Sequence, residues 1–342
     1  MQQYILRRTL LNFVVILLVA TMVFGALRVY PENIVRDRAQ GCTTAETFEQ
    51  CKDVARKELG LNKSIFTQYV SYMGDLATLD LGKSFFTKSE VVKEIFCEGG
   101  SDCSVKGMLK SRAAVSTQLG LMQILVALVI ALPIGIVSAI RQDTWIDYLL
   151  RFFAIAFLGI PVFVLAVFVI VGTARWSDDI GLTFLPDWLG VHGTWVTLFD
   201  DPIENLKRTT GPALVGGIGT GAIIMRFLRS QMLEVLRQDY VRTAWAKGLK
   251  ERVIVVRHAL KNALIPVLTI VGILLGSIVS GNVVLESLYN LPGIGFYVIS
   301  SIRQFDYPVV QGIVLVVAVT LVFVNLLVDV AYGWLDPRIR YS

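Results

Sequence analysis

Charge is what this chain has least of. Only 17% of its 342 residues are Asp, Glu, Lys or Arg and 54% are hydrophobic, against roughly 25% charged in soluble domains. With a mean hydropathy of +0.63, this excludes an ordinary water-soluble globule and indicates an integral membrane protein. Histidine is nearly missing: His192 and His258 are the only two. Neither stands in a Cys or carboxylate cluster with metal-ligand spacing, so no protein metal site is expected. Neither has a Ser or Cys beside it, which argues against a membrane enzyme needing a catalytic pair at one depth. A phosphate loop is lacking as well. Gly82-Lys83-Ser84 has the right ending, but Ala77 stands where the pattern needs its first Gly. Gly217-Ile-Gly219-Thr-Gly221 mimics a dinucleotide fingerprint, yet it lies in an apolar run with no strand before it. Small residues there allow close helix packing instead.

What is present is a series of apolar runs. Leu10–Leu27 comes first; its length covers roughly 27 Å at 1.5 Å per residue, near the bilayer core thickness. Arg7 and Arg8 precede it and no small-residue cleavage site follows, so it reads as a retained helix with its N-terminus inside. Val115–Ile140, Leu149–Thr173, Gly211–Leu228, Leu264–Leu285 and Val309–Leu335 bring the expected crossings to six. The turn Arg141–Arg151, the stretch between the fourth and fifth runs and the tail from Asp336 then share one side. Each carries Arg or Lys, which marks that side as cytoplasmic. The loop Trp176–Thr210 carries Asp178, Asp179, Asp187, Asp200, Asp201 and Glu204 against Lys207 and Arg208, as an outer loop should. The net charge of +5 and pI near 9.0 need no nucleic-acid partner to explain them.

All four cysteines fall between the first two runs. That long segment mixes charged and apolar residues like a small folded lobe, and an outward location is oxidising in many envelopes. Four cysteines allow three pairings; local spacing favours Cys42–Cys51 and Cys97–Cys103. The expected division is residues 1–27 for the tail and first helix, 28–113 for the lobe, 114–335 for a five-helix core and 336–342 for the tail.

Between the fourth and fifth runs lies a basic island. From Arg226 to Lys261 six Arg and three Lys face three acids, a net of +6. Charged backbone of this length cannot lie in hydrocarbon. Asp239 is expected to cap a helix over Tyr240–Lys247, with Gly248 supplying the left-handed turn that ends it. A second helix is expected from Glu251 to about Asn262, with Pro266 marking the start of the fifth crossing. Val241, Ala244, Trp245, Leu249 and Val253 would bury on one side of this knob. A plain basic loop preferring anionic lipid is the simpler alternative. In the last run, Asn325 and Asp329 are candidate pathway residues, though a helix contact or a water-filled vestibule would also satisfy Asp329. Glu286 either lines a path or is a solvated end charge.

The island segment Arg242-Thr-Ala244-Trp-Ala-Lys-Gly248 resembles the EAA loop of ABC importer permeases. The longer string from Tyr240 through Pro266 is similar to the peptide and nickel branch of that family. Tyr4-ILRRTL, Leu59-Gly60-Leu61 with Gln68-Tyr69, Asp80-Leu-Gly82-Lys-Ser84, Glu286-SLYNLPGIG, Asp306-YPVVQG and Leu335-Asp336-Pro337-Arg338-Ile339-Arg340 extend the likeness over nearly the whole chain. Arg242–Thr243 stands in place of the family's Glu–Ala pair, Lys261 where many members have proline, and the Cys97–Cys103 segment resembles an insertion.

The resemblance implies an all-α polytopic fold with six transmembrane helices. It implies one half of an importer pore, completed by a homologous permease subunit and served by an extracytoplasmic solute-binding protein. Two ATP-binding subunits would hold ATP and Mg, with no cofactor in this chain. Arg242, Thr243, Ala244, Lys247, Gly248 and Leu249 would form the surface coupled to those ATPases, with Ala244 and Gly248 permitting close seating. The cargo would be a short peptide, with nickel or another small solute as the alternative. An ion-driven secondary transporter using Asp329 is the rival from another class.

Overall fold

The computed structural model describes residues 2–335 except 30–31, 33–34, 37–44, 59–60, 79, 85–86, 88, 99, 102, 105–107, 109, 178, 180 and 279–281. Regular structure among them is helical, apart from isolated bridge residues such as the pair Lys83 and Glu90. That is what long apolar runs require in hydrocarbon, where each backbone N–H and C=O needs a partner within its own segment. In chain order the helices are α1 (Gln2–Val29), α2 (Ala45–Glu58), α3 (Ile65–Ala77), α4 (Val91–Phe96), α5 (Arg112–Ile140), α6 (Trp145–Gly159) and α7 (Val162–Trp176). They continue as α8 (Leu185–Leu189), α9 (Pro202–Leu236), α10 (Asp239–Ala246) and α11 (Glu251–Val253). A π-helical turn, Ile254–Leu260, leads into α12 (Lys261–Ser277), and α13 (Val283–Leu288), α14 (Ile294–Arg303) and α15 (Tyr307–Leu335) follow.

Among the described residues, five stretches are long and apolar enough to cross a membrane: Arg8–Ala26, Arg112–Ile140, Pro202–Leu236, Glu251–Gly276 and Tyr307–Leu327. The run Leu149–Thr173, expected as one crossing, is instead two helices, α6 and α7, bent by 100°. The cause is local. Pro161 has no N–H, and the residue before a proline is driven out of the helical region; Ile160 sits at φ −83°, ψ 121°. Counted as one span, the pair makes six.

The chain groups into two compact units, Met1–Val115 with Gly293–Leu326, and Ser116–Pro292 with Leu327–Ser342. The stretch from Gly293 to Leu326 thus groups with the N-terminal part of the chain although it is far from it in sequence.

In the first unit, α3 lies along α1. The ring of Phe24 is buried against Tyr69 and Tyr72 at 5.3 and 5.4 Å. Arg28 donates to Gln68 Oε1 at 2.9 Å, and Ser64 caps α3 by accepting from the Thr67 N–H. The phosphate-loop mimic has a structural task. Gly82 takes a left-handed turn at φ 81°, and the buried Ser84 hydroxyl donates to Asp306 Oδ2 at 2.5 Å. Asp306 directly precedes α15, so this bond ties the lobe to the start of that helix. α4 buries Val91 and Ile95 against Ile294, Val309 and Ile313. A Cβ on Gly312 would lie 2.5 Å from Val91 Cγ1, so only glycine permits that approach. Cys97 and Cys103 are disulfide-bonded. Cys51 is disulfide-bonded too, while Cys42 lies outside the described residues.

In the second unit, α5, α9, the π-turn and α12 share one apolar core that includes Ala127, Ala131, Ile224, Leu228, Met232, Ala259 and Ala263. Glycines set the closeness of α9 to α5. A Cβ on Gly216 or Gly217 would fall 2.6 Å from Gln123 or Val126 side-chain atoms, and one on Gly221 would meet Ala127 O at 3.2 Å. Gly219 touches nothing within 4 Å, so only part of the Gly217–Gly221 motif serves this packing.

Candidate functional site

The basic island folds as a self-supporting knob. α9 ends at Arg237, Gln238 is the N-cap of α10, and Asp239 is the first helical residue. Asp239 was expected to be the cap. It sits one position later, where its carboxylate favours the positive end of the helix dipole. Thr243 Oγ1 donates to the Asp239 carbonyl at 2.9 Å. α10 stops at Lys247, and Gly248 turns the chain at φ 72° with nothing within 4 Å of an added Cβ. Backbone conformation, not crowding, is therefore what asks for glycine there.

The apolar residues of the knob divide between two faces. Val241, Ala244 and Ile254 are buried and pack with Val235 and Leu236. Trp245, Leu249, Val253 and Val256 remain exposed, Trp245 at 49%. Ala244 therefore seats α10 on its own chain. Arg242, Lys247 and Lys250 are exposed around the outward apolar residues. Large apolar and basic side chains are thus exposed together on this part of the knob.

Beyond the knob, the expected stop near Asn262 is absent. Helix runs on from Glu251 through the π-turn into α12 with Pro266 inside it. π-turns collect at functional positions, and this one joins the knob to a membrane-crossing segment. Asn262 Nδ2 donates to Tyr240 Oη at 2.7 Å and to the His258 carbonyl at 3.2 Å. The first turn of the knob helix is thus latched to the helix that leaves it.

The other predicted residues lie elsewhere. Glu286 is fully buried, accepting from Ser116 Oγ at 2.8 Å and from the Asn282 N–H at 3.2 Å. It is a clamp inside the second unit and not a solvated end charge. Asn325 is exposed on α15. The backbone of Asp329 lies in α15, but its side chain falls outside the described residues. Among the described residues no group of three His, Cys, Asp or Glu is placed to hold a metal ion.

A second polar centre escaped the sequence reading. Asp147, in the first turn of α6, has no exposed surface. Arg229 of α9 grips it with both arms of the fork, Nε to Oδ1 at 2.8 Å and Nη2 to Oδ2 at 2.7 Å. Ser138 near the end of α5 donates to Oδ1 at 2.5 Å, and the Asp143 N–H donates to Oδ2 at 3.1 Å. Arg151 lies 3.4 Å from the same carboxylate. Asp147 had counted only as part of a basic turn and Arg229 only as island charge. The available signal was that each stands among apolar neighbours, where a lone charge needs a partner.

Comparison with known proteins agrees with this architecture. Residues 131–341 match the family described as binding-protein-dependent transport system inner membrane component, and residues 1–101 match that family's N-terminal component. The chain is 36% identical, over the whole of both chains, to the dipeptide transport system permease protein DppB of Alkalihalophilus pseudofirmus. It is 37% identical to the probable D,D-dipeptide transport system permease protein DdpB of Escherichia coli, over 83% of each. It is 31% identical to the oligopeptide transport system permease protein AppB of Bacillus subtilis, over the whole of both. With its crossings, its knob and these likenesses taken together, the chain belongs to the family of binding-protein-dependent transport system inner membrane components.

Proposed function

We propose that this permease forms one transmembrane half of an ATP-driven importer of short peptides in a prokaryotic cell membrane. A homologous permease subunit completes the pathway and an extracytoplasmic binding protein delivers the peptide. Two ATPase subunits bind ATP and Mg and dock on the knob, so this chain carries no ATPase site of its own. The peptide cargo is supported by relatives named for dipeptide and oligopeptide transport. With the α6–α7 pair as one span, six crossings leave both termini and the knob on the cytoplasmic side, in keeping with the positive charge there.

The observation that carries the mechanism is the split knob. Its inward residues fix it to α9 and the π-turn, while Trp245, Leu249, Val253 and the basic Arg242, Lys247 and Lys250 stay outward. An ATPase subunit seated on those outward residues moves the knob when it closes around ATP, and the movement shifts the bundle between outward- and inward-facing states. Each state is favoured only by what nucleotide or binding protein contacts in it.

The test is purification of the complete transporter, identification of the bound solute and uptake into proteoliposomes. The expected result is peptide uptake that requires ATP and the binding protein. Uptake by this polypeptide alone, indifferent to ATP and lost on Asp329→Asn, overturns the reading in favour of an ion-driven transporter. A bound nickel chelate in place of peptide overturns the cargo assignment.

A further inference from the structure

We propose that the Arg229–Asp147 pair is the positioning element that carries displacement of the knob into α5 and α6. The proposal rests on the importer reading and deepens it. Four observations carry it. First, the pair is close to the knob, since Arg229 is only about two turns before Arg237, the C-cap of α9. Val241, Ala244 and Ile254 of the knob pack on Val235 and Leu236 in the last turn of α9, so a shift of the knob reaches Arg229 through that packing, across the extended residue Gln238.

Second, one carboxylate gathers three separate elements. It takes Arg229 from α9, Ser138 from α5, and the backbone of the α5–α6 turn through Asp143. Asp143 itself sits at φ 60°, so that turn is held in a conformation few side chains adopt unaided. Third, the contact is directional. A planar guanidinium on both oxygens of a carboxylate resists rotation as well as separation, which a point charge does not. Fourth, an ion pair whose carboxylate is fully buried and whose guanidinium is largely so is a poor means of raising stability, because well-packed apolar residues of the same volume do as well or better. What the pair supplies is a unique geometry among three helix ends.

Its surroundings fit a block that moves together. α9 and α5 approach closely at the neighbouring Gly135, where a Cβ would meet Leu228 Cδ2 at 3.0 Å and Met225 O at 3.2 Å. Apolar contact there resists separation but not sliding; the fork resists both. Trp145 and Phe152 on α6 are exposed while Ala154 and Leu150 of the same helix pack into the core shared with α9, so the fork acts beside apolar contact.

The experiment uses the complete transporter in proteoliposomes with binding protein, peptide and ATP, measuring peptide taken up and ATP hydrolysed in the same vesicles. Arg229→Lys keeps the charge and loses the fork; Asp147→Asn keeps the shape and loses the charge. For both, peptide taken up per ATP hydrolysed is expected to fall about tenfold, a typical size for coupling between sites, with ATP hydrolysis retained. Uptake per ATP unchanged in both variants overturns the proposal, and so does an equal fall in both activities, which would mean lost assembly only.

A second measurement leaves the pair intact. Gly135→Cys with Leu228→Cys places two sulfurs across α5 and α9, the built Cβ of Gly135 lying 3.3 Å from Leu228 Cβ. No free cysteine competes among the described residues. If the helices move as one block, the oxidised protein imports at the rate of the reduced one. Uptake lost on oxidation and regained on reduction overturns the proposal. An unmutated transporter whose uptake ignores ATP would overturn the importer reading itself, an outcome distinct from coupled variants beside a normal parent.

Discussion

At Gly248 the side chain is constrained by backbone angle alone. Its φ of 72° suits glycine, and an added methyl would meet nothing. Gly248→Ala should therefore cost only about 1 kcal/mol, the usual penalty of the left-handed region, and Gly248→Asn less. Gly248→Val should cost more than either, because a β-branched residue is a true outlier there. Thermal unfolding of the three purified variants checks the order. Glu286 is the opposite case, held by partners and not by angle. Glu286→Ala removes the acceptor of Ser116 Oγ and the Asn282 N–H and should cost about 1–3 kcal/mol. Glu286→Gln keeps an acceptor oxygen and should recover much of that loss in the same measurement. His192, in the outer loop, has its pKa lowered by burial, with Arg208 and Lys207 adding to the effect and Glu204 and Asp187 opposing it. The folded chain thus binds the proton less readily than the unfolded one. Stability is complete above the ordinary histidine value of about 6.5 and is lost as pH falls toward the depressed one. Hydrogen exchange in residues 189–197 should rise on acidification through that window, and His192→Gln should flatten the rise.

At the scale of elements, helices that obey one local rule were legible and those that answer to two were not. α1, α5, α9 and α15 announce themselves by unbroken apolar length, which is all that crossing hydrocarbon demands. The α6–α7 run has the same length, but hydropathy counts residues and is blind to direction; the 100° bend turns on Ile160 and Pro161. Pro266 shows the converse. It looked like a boundary, yet it is carried inside a helix whose neighbours supply the packing. The knob was legible because Gly248 and the charge pattern are local, whereas the Arg229–Asp147 pair links positions 82 residues apart. The lobe shows a similar long-range tie. Asp306→Ala removes the acceptor of the buried Ser84 hydroxyl and should cost about 1–3 kcal/mol, seen as faster hydrogen exchange in residues 307–310 at the start of α15.

At the scale of the molecule, family membership and the division of labour inside the chain come from different sources. Membership follows from likeness along its length. The division follows from where polar groups are buried. Glu286 and Asp147 are satisfied within the second unit, and Ser84 with Asp306 within the first. None of them has the exposure expected of a residue that meets passing solute. These acids hold neighbouring segments of their own unit together. Substituting these buried acids should then change assembly or coupling while leaving the preference between two competing peptides unaltered, which competition uptake measures directly.

The π-turn at Ile254–Leu260 has a genetic meaning as well as a mechanical one. Such a turn amounts to one surplus residue absorbed without breaking the helix. Removing a single residue from it should leave a continuous α-helix with the segments before and after it in nearly their present orientation, because the wider turn already absorbs the roughly 100° step of one residue. A frame-preserving deletion in this stretch would therefore spare both the helix and the aim of the knob, whereas the same deletion within regular α-helix would turn one side against the other.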